Sequence, residues 1–204
     1  MFFSKIVKWF VCCSFCLVSM LSSWRKKRLV AKCYDVTAES YDVQYAQEQI
    51  AKYVAAERVL NQSFCDVVLD VGCGSGLFFS YVAGRAGFVV GVDISRKLLF
   101  KAKERAKFFD SVCVVQADAD YLPFRDVVFD VIFAFTMLQN MPVPKKTLVE
   151  FKRKLGVDGK LVVTGLRKVF GLDVFLDLFV GSGLCLFGFI DDSSLNCYVA
   201  IVTG

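Results

Sequence analysis

Runs of apolar residues alternate along this chain with segments in which apolar and charged positions repeat at helical spacing. The apolar runs fall at residues 67–71, 88–93, 112–118 and 129–135, and each is rich in β-branched side chains. Helical patterns fill much of the space between and around them, at residues 77–86, 95–109 and 145–155. Short apolar runs of this kind indicate strands covered on both faces, and their alternation with helices indicates a parallel sheet.

The C-terminal part first continues and then changes this alternation. A strand is predicted at residues 160–166 and an apolar helix at 172–180, and two further strands, 186–190 and 197–203, flank a turn. The predicted fold class is therefore α/β and Rossmann-like. It is a doubly wound, mostly parallel seven-stranded sheet with an antiparallel C-terminal hairpin and helices on both faces.

Two helices are predicted before the first strand. Tyr34 and Tyr41 are seven residues apart, which is the spacing of two helical turns, so both are expected on one face of a short helix. Their rings would either cover the core or close over a binding site. The helix at residues 44–60 is expected to turn Ile50, Tyr53 and Leu60 inward.

The first 28 residues have a different pattern from the rest. Residues 9–24 carry no charge and residues 25–28 are all basic. The uncharged stretch is slightly shorter than the roughly 20 residues that span a bilayer, and it predicts a membrane anchor with the following domain facing the cytoplasm. A translation start at Met20, which would remove most of it, is the alternative. A cleaved signal fits less well, because Trp24 and the basic residues stand where small residues are needed. The predicted domains are residues 1–28 and residues 29–204.

Composition and charge exclude several functional classes. The 204 residues contain no histidine, which removes a histidine general base and every histidine-containing metal site, and no metal site is predicted. The formal charge is +5, but removing the six basic side chains before Leu29 leaves 19 basic and 20 acidic residues. Nucleic-acid binding is therefore not indicated by charge. The nine cysteines are scattered through apolar runs, as in intracellular proteins.

Glycines and acidic residues follow the predicted strands. Gly72, Gly74 and Gly76 come directly after the strand at residues 67–71, where a chain without Cβ atoms can turn sharply and approach a ligand. Asp70, Asp93 and Asp118 lie at or near the carboxyl ends of three strands, the edge at which α/β sheets bind ligands. Asp93 is placed to accept hydrogen bonds from ribose hydroxyls, and capping of the next helix, a role that Ser95 could also fill, is the alternative.

Four motifs in this order resemble the class I S-adenosylmethionine-dependent methyltransferases. They are the segments at residues 69–76, 90–95, 116–124 and 129–132. The resemblance implies that S-adenosyl-L-methionine is the cofactor. It also implies that the Gly72–Gly74 backbone and Asp70 meet the methionine part, that Asp93 binds the ribose, and that Asp118 and the Ala119 backbone meet adenine. The full set of implied cofactor-binding residues is Tyr41, Asp70, Gly72, Cys73, Gly74, Gly76, Asp93, Ile94, Asp118, Ala119, Phe135 and Thr136.

The implied activity is methyl transfer to a small or lipophilic acceptor, since residues 122–124 and 136–141 are similar to the branch that methylates small molecules such as quinone precursors. No catalytic residue is assigned. Alternatives are a tRNA or protein methyltransferase working with a helper subunit, a non-catalytic cofactor-binding subunit, and a dinucleotide-dependent oxidoreductase. The last is disfavoured because Leu77 stands where its third glycine is expected.

Overall fold

The computed structural model describes residues 23–60 and 66–204. Its helices are α1 (Ser23–Thr37), α2 (Tyr41–Leu60), α3 (Phe79–Val82), α4 (Arg96–Ala106), α5 (Pro144–Lys154) and α6 (Leu172–Gly181). Its strands are β1 (Val67–Val71), β2 (Phe88–Asp93), β3 (Val112–Gln116), β4 (Phe129–Ala134), β5 (Leu155–Leu166), β6 (Cys185–Ile190) and β7 (Cys197–Thr203). Short 3-10 turns cover Ala38–Ser40 and Leu138–Asn140.

The strands form one seven-stranded sheet in the order β3-β2-β1-β4-β5-β7-β6. The first five strands are parallel, and β7 runs antiparallel to both β5 and β6. This confirms the predicted fold class. The strand order reverses at β1, which pairs with β2 on one side and β4 on the other, and this reversal opens a crevice at the carboxyl ends of these strands.

The two faces of the sheet carry separate cores, because successive side chains of a strand point to opposite sides. In β1, Leu69 and Val71 join a core that α5 and α6 cover with Phe151 and Phe175. Val68 joins the other core, which α2, α3 and α4 cover with side chains that include Tyr53, Phe79 and Ala102. Strands buried on both faces explain why the sequence shows continuous apolar runs.

The helices before β1 differ from their prediction. Tyr34 and Tyr41 do not share a short helix, because α1 ends at Thr37 and α2 begins at Tyr41. Their rings nevertheless meet, with centroids 6.1 Å apart. The prediction that Ile50 points inward is wrong, since its side chain is 50% exposed, whereas Tyr53 and Leu60 are buried as expected.

The bounds of two further elements differ from their prediction. The helix predicted at residues 77–86 is only the four residues of α3, with turns before and after it. Strand β5 starts at Leu155, directly after α5, and pairs there with Phe129 before a register shift. The hydrophobic pattern of β5 does not reveal where the strand starts, because the early pairing depends on contacts with the partner strand β4.

In the described parts of the chain, residues 23–60 and 66–204, no helix is both long enough and apolar enough to cross a bilayer. The predicted anchor at residues 9–24 lies almost wholly outside those parts and stays a prediction. Helix α1 already begins at Ser23, so the basic residues 25–28 are part of a helix that packs on the domain.

Candidate functional site

A cavity opens at the crevice between the carboxyl ends of β1, β2 and β4. Its empty volume is about 670 Å³, part of which is open to solvent. Nine of the predicted site residues line it: Tyr41, Gly72, Gly74, Asp93, Ile94, Asp118, Ala119, Phe135 and Thr136. Asp70 and Cys73 line a smaller adjoining cavity that shares Tyr41, Gly72 and Phe135 with the first. We call these the main cavity and the small cavity.

The loop after β1 owes its shape to its glycines. Gly72, Gly74 and Gly76 have φ values of +76°, +57° and +77°, a region that side chains rarely adopt. A Cβ on Gly72 would lie 2.9 Å from the Cβ of Met137, so the missing side chain lets the loop approach the cavity wall. Gly76 has another role. A Cβ there would lie 2.5 Å from the Phe79 ring, which places this glycine against the core and away from the cavity.

Asp93 ties the glycine loop to the end of β2. One carboxylate oxygen accepts from the Gly74 N–H at 2.9 Å, and the other accepts from the Ser95 N–H at 2.7 Å. The Ser95 hydroxyl caps α4 by accepting from the Leu98 N–H. Burial raises the pKa of the Asp93 carboxyl, and the backbone hydrogen bonds oppose that shift. Asp93 is thus fixed at the cavity wall without serving as the helix cap.

Asp70 lies under the glycine loop with an unsatisfied oxygen. Its side chain is 3% exposed, and its Oδ2 has no hydrogen-bond partner in the described structure. Burial raises the pKa of this carboxyl to about 8, and the charge of Asp93 adds to the shift. A buried acceptor without a partner is costly, so Asp70 is suited to receive a cationic or hydrogen-bonding group of a ligand.

Asp118 is engaged by a residue that the sequence did not identify as part of the site. The Lys27 ammonium donates to both oxygens of Asp118, at 2.7 and 2.8 Å, and also contacts Asp120. Lys27 is only 6% exposed and comes from α1, which lies over the main cavity. In the sequence it is one of four consecutive basic residues, and nothing there distinguishes it from its neighbours.

Two tyrosines from the N-terminal helices cover the same opening. Tyr34 of α1 lines the main cavity and accepts a 3.0 Å hydrogen bond from Asn140. Tyr41, at the start of α2, packs over Gly74, where a Cβ would lie 3.4 Å from its ring. Burial raises the pKa of both phenols. They are neutral, mainly apolar walls of the main cavity above the loop.

Thr136 of the cavity wall has an unusual backbone conformation and several hydrogen-bond partners. It has a φ of +55° at the second position after β4, and its N–H donates to the Thr164 hydroxyl at 2.7 Å. Its own hydroxyl accepts from the Lys52 ammonium at 2.7 Å and lies 3.2 Å from the Gln49 amide. Sequence reasoning missed Gln49 and Lys52, because their spacing of three residues on a partly apolar helix is only a weak signal.

A glycine loop between a buried strand and a helix, flanked by acids at neighbouring strand ends, defines a Rossmann-like cofactor-binding protein. Residues 69–163 match the family described as a methyltransferase domain. Residues 69–163 are thus similar to methyltransferase domains, in agreement with the resemblance of the four sequence motifs to the class I S-adenosylmethionine-dependent methyltransferases.

Relatives with assigned names are similar over much of this chain. It is 31% identical over 152 residues to a malonyl-[acyl-carrier protein] O-methyltransferase of Marinomonas sp. (strain MWYL1), covering 72% of this chain and 55% of that protein. It is 29% identical to a demethylmenaquinone methyltransferase of Clavibacter sepedonicus, covering 68% of this chain and 58% of that protein. The chain therefore spans little more than half the length of these relatives.

Solved structures support the fold. A SAM-dependent methyltransferase from Aquifex aeolicus superposes with a TM-score of 0.65 at 19% identity, covering 72% of this chain and 87% of that one. The [4+2]-cyclase SpnF gives 0.72 at 22% identity, covering 83% and 76%. A Haloferax volcanii methyltransferase complex with the Trm112 activator gives 0.67 at 17% identity, covering 83% and 96%. At these identities the likeness concerns the fold alone.

The residues present fit S-adenosylmethionine, the cofactor that this family implies. The ligand combines an adenine, a ribose with two hydroxyls, and an amino acid carrying an ammonium group. The cavities offer the half-buried carboxylate of Asp93, the unpartnered oxygen of Asp70, and a loop whose missing Cβ atoms leave room for a ligand. Asp118 is held by Lys27, but a carboxylate has acceptor sites for further donors.

Proposed function

We propose that this protein transfers the methyl group of S-adenosylmethionine to a small, lipophilic molecule. The observation that supports this most strongly is the placement of Asp70, Asp93 and Asp118 around two adjoining cavities at the strand-order reversal. In this proposal Asp93 binds the ribose hydroxyls, and Asp118 with the Ala119 backbone binds adenine. Asp70 receives the ammonium group beside the Gly72–Gly74 backbone.

The chain's own residues would serve this reaction by alignment and by exclusion of water. The cofactor, when bound, supplies an electrophilic methyl group, so a nucleophile mainly needs to be aligned in a dry site. Phe135 is 6% exposed and packs against Tyr53, with ring centroids 4.9 Å apart. Phe78 packs against both rings. In this proposal the aromatic wall beside the cavity would keep water from the reacting atoms.

The cavity lining favours an apolar acceptor. Apart from the groups assigned to the cofactor, the main cavity is bordered largely by Val71, Val92, Leu98, Met137 and Met141. The similar protein named as a demethylmenaquinone methyltransferase also supports an acceptor of this kind. A tRNA or protein acceptor with a helper subunit is the second candidate, since one similar structure is a complex with an activator protein.

Two measurements test the proposal. Isothermal titration calorimetry with S-adenosylhomocysteine, with NADH as the comparison ligand, should detect binding of the first only. Tight NADH binding without binding of the homocysteine derivative would contradict the cofactor assignment.

Incubation of cell extract with a labelled methyl donor, followed by separation of lipid, RNA and protein, should place the label in the lipid fraction. Label confined to RNA or protein would favour the helper-subunit alternative.

A further inference from the structure

Helix α2 carries three polar residues, Glu48, Gln49 and Lys52, on the side that meets the cavity wall. Lys52 donates to the Glu48 carboxylate at 2.7 Å and to the Thr136 hydroxyl at 2.7 Å. The Lys52 side chain is fully buried, whereas Glu48 is 35% exposed. Gln49 is 5% exposed and lines the small cavity. A positive charge therefore lies one hydrogen bond behind the cavity wall.

Burial of the Lys52 ammonium group costs free energy, and the aromatic core around it does not require a charged residue at this position. Burying an ammonium group costs free energy unless it is paired, and replacing such a pair by apolar residues is often neutral or stabilising. The partner of Lys52 on the cavity side, Thr136, has a left-handed backbone conformation that costs further energy. Costs of this kind concentrate at functional sites, where a group must be held in one position.

The Gln49 amide keeps a donor in either orientation of its contact with Thr136. The Thr136 oxygen lies 3.2 Å from both the nitrogen and the oxygen of that amide. A hydroxyl oxygen has two acceptor sites, so it can accept from the Lys52 ammonium and also from one Gln49 N–H, or its hydrogen can bind the Gln49 oxygen. In both cases the Gln49 NH₂ group has at least one N–H left to donate to an acceptor at the small cavity.

The small cavity thus has opposite polarity at two walls. Asp70 presents an oxygen without a partner, and Gln49, backed by the charge of Lys52, presents a donor. A ligand that satisfies both walls carries a cationic and an anionic group close together, as the α-amino acid end of the proposed cofactor does. An isolated ammonium group would leave the donor wall unused.

We propose that Gln49 binds the α-carboxylate of S-adenosylmethionine, with Thr136 and Lys52 as its positioning residues. This inference rests on the proposed function, because it concerns the same cofactor site. It assigns to α2 a part in cofactor recognition that the glycine loop and the strand ends do not supply. Gln49 and Asp70 together would then select a zwitterionic amino acid group over an amine alone.

Calorimetry on the full chain with two ligands tests this assignment. The ligands are S-adenosylmethionine and its decarboxylated form, which keeps the ammonium and sulfonium groups. The variants Gln49→Leu and Lys52→Met should weaken binding of the first by roughly 10- to 100-fold, as expected for loss of a hydrogen bond to a charged group, and leave binding of the second unchanged. Asp70→Asn should weaken binding of both ligands.

Controls separate this inference from the proposed function and from misfolding. Gln47→Leu alters an exposed glutamine on the same helix and should change neither affinity. Thermal unfolding of each variant identifies loss of fold, and Gln49→Glu provides a second, more conservative variant that repels a carboxylate. If Gln49→Leu and Gln49→Glu weaken both ligands equally, or neither, the carboxylate assignment is wrong. If the unaltered protein binds neither ligand, the proposed function itself fails.

Discussion

Asp70 shows how one residue can couple the binding site to stability. Its pKa of about 8 in the folded protein lies above the usual 3.8, so the folded state keeps a proton that the unfolded state releases. Between these two values the unfolding free energy should therefore fall as the pH rises, by at most about 1.4 kcal/mol per pH unit. Asp70→Asn should make that dependence shallower, as measured by urea denaturation at pH 5, 6, 7 and 8. An unchanged slope would mean that Asp70 is not the titrating group.

Asp93 is predicted to matter to binding more directly. Asp93→Ala should weaken S-adenosylhomocysteine binding by about 1–3 kcal/mol, because ribose hydroxyls would lose their acceptor and the Gly74 N–H would lose its partner. Calorimetry measures the change, and Asp110→Ala, at an exposed position beyond α4, is the matched control. Equal affinities for the two variants would show that the ribose lies elsewhere.

The sequence predicts such residues because each belongs to a local signal. Asp93 ends a buried strand, and Gly72 follows one, so strand and turn patterns place both at one edge of the sheet. Gln49, Lys52 and Lys27 carry no local signal of that strength. They reach the site from helices whose orientation depends on packing across the molecule, and a basic or polar residue on a helix is usually solvated.

At the scale of elements, α1 is held over the main cavity by polar contacts along its length. Besides Lys27, its Lys26 ammonium donates to the Met141 carbonyl, and its Asp35 carboxylate accepts from the Ser95 hydroxyl and the Lys97 N–H at the start of α4. These contacts replace the broad apolar face that usually fixes a helix. They also explain why the pattern at residues 34–42 misled, since α1 is fixed by partners far away in the sequence.

Lys27→Met tests how far α1 depends on its buried ion pairs. The change leaves Asp118 and Asp120 without their cation, and Asp120 is only 4% exposed. We expect the unfolding free energy to fall by about 3 kcal/mol, as when one partner of a buried pair is removed. Arg28→Met, on the exposed face of the same helix, should change it by less than about 0.5 kcal/mol. Chemical denaturation measures both, and similar values for the two variants would contradict the structural role of Lys27.

At the scale of the whole molecule, one aromatic ring packs against both the sheet and the binding loop. Phe79 of α3 is fully buried in the core formed with α2 and α4, and it occupies the space that Gly76 and Gly91 leave free. The alternation of strands and helices was sufficient to predict the mostly parallel, doubly wound sheet with its antiparallel C-terminal hairpin. It could not predict this contact, because Gly91 lies on β2 and the ring comes from a helix of only four residues.

Gly91→Ala should therefore disturb both the core and the site. A Cβ at this position would lie 2.5 Å from the Phe79 ring and 3.1 Å from the Cys73 sulfur, so the ring and the glycine loop must shift. We expect a loss of about 1–3 kcal/mol in unfolding free energy, as for other overpacked cores, together with weaker S-adenosylhomocysteine binding. Gly84→Ala is the matched control, because a Cβ there meets no atom within 4 Å. If Gly91→Ala lowered stability but left binding unchanged, the core would absorb the extra methyl group without moving the loop, and the two cavities would be mechanically independent of the sheet beneath them.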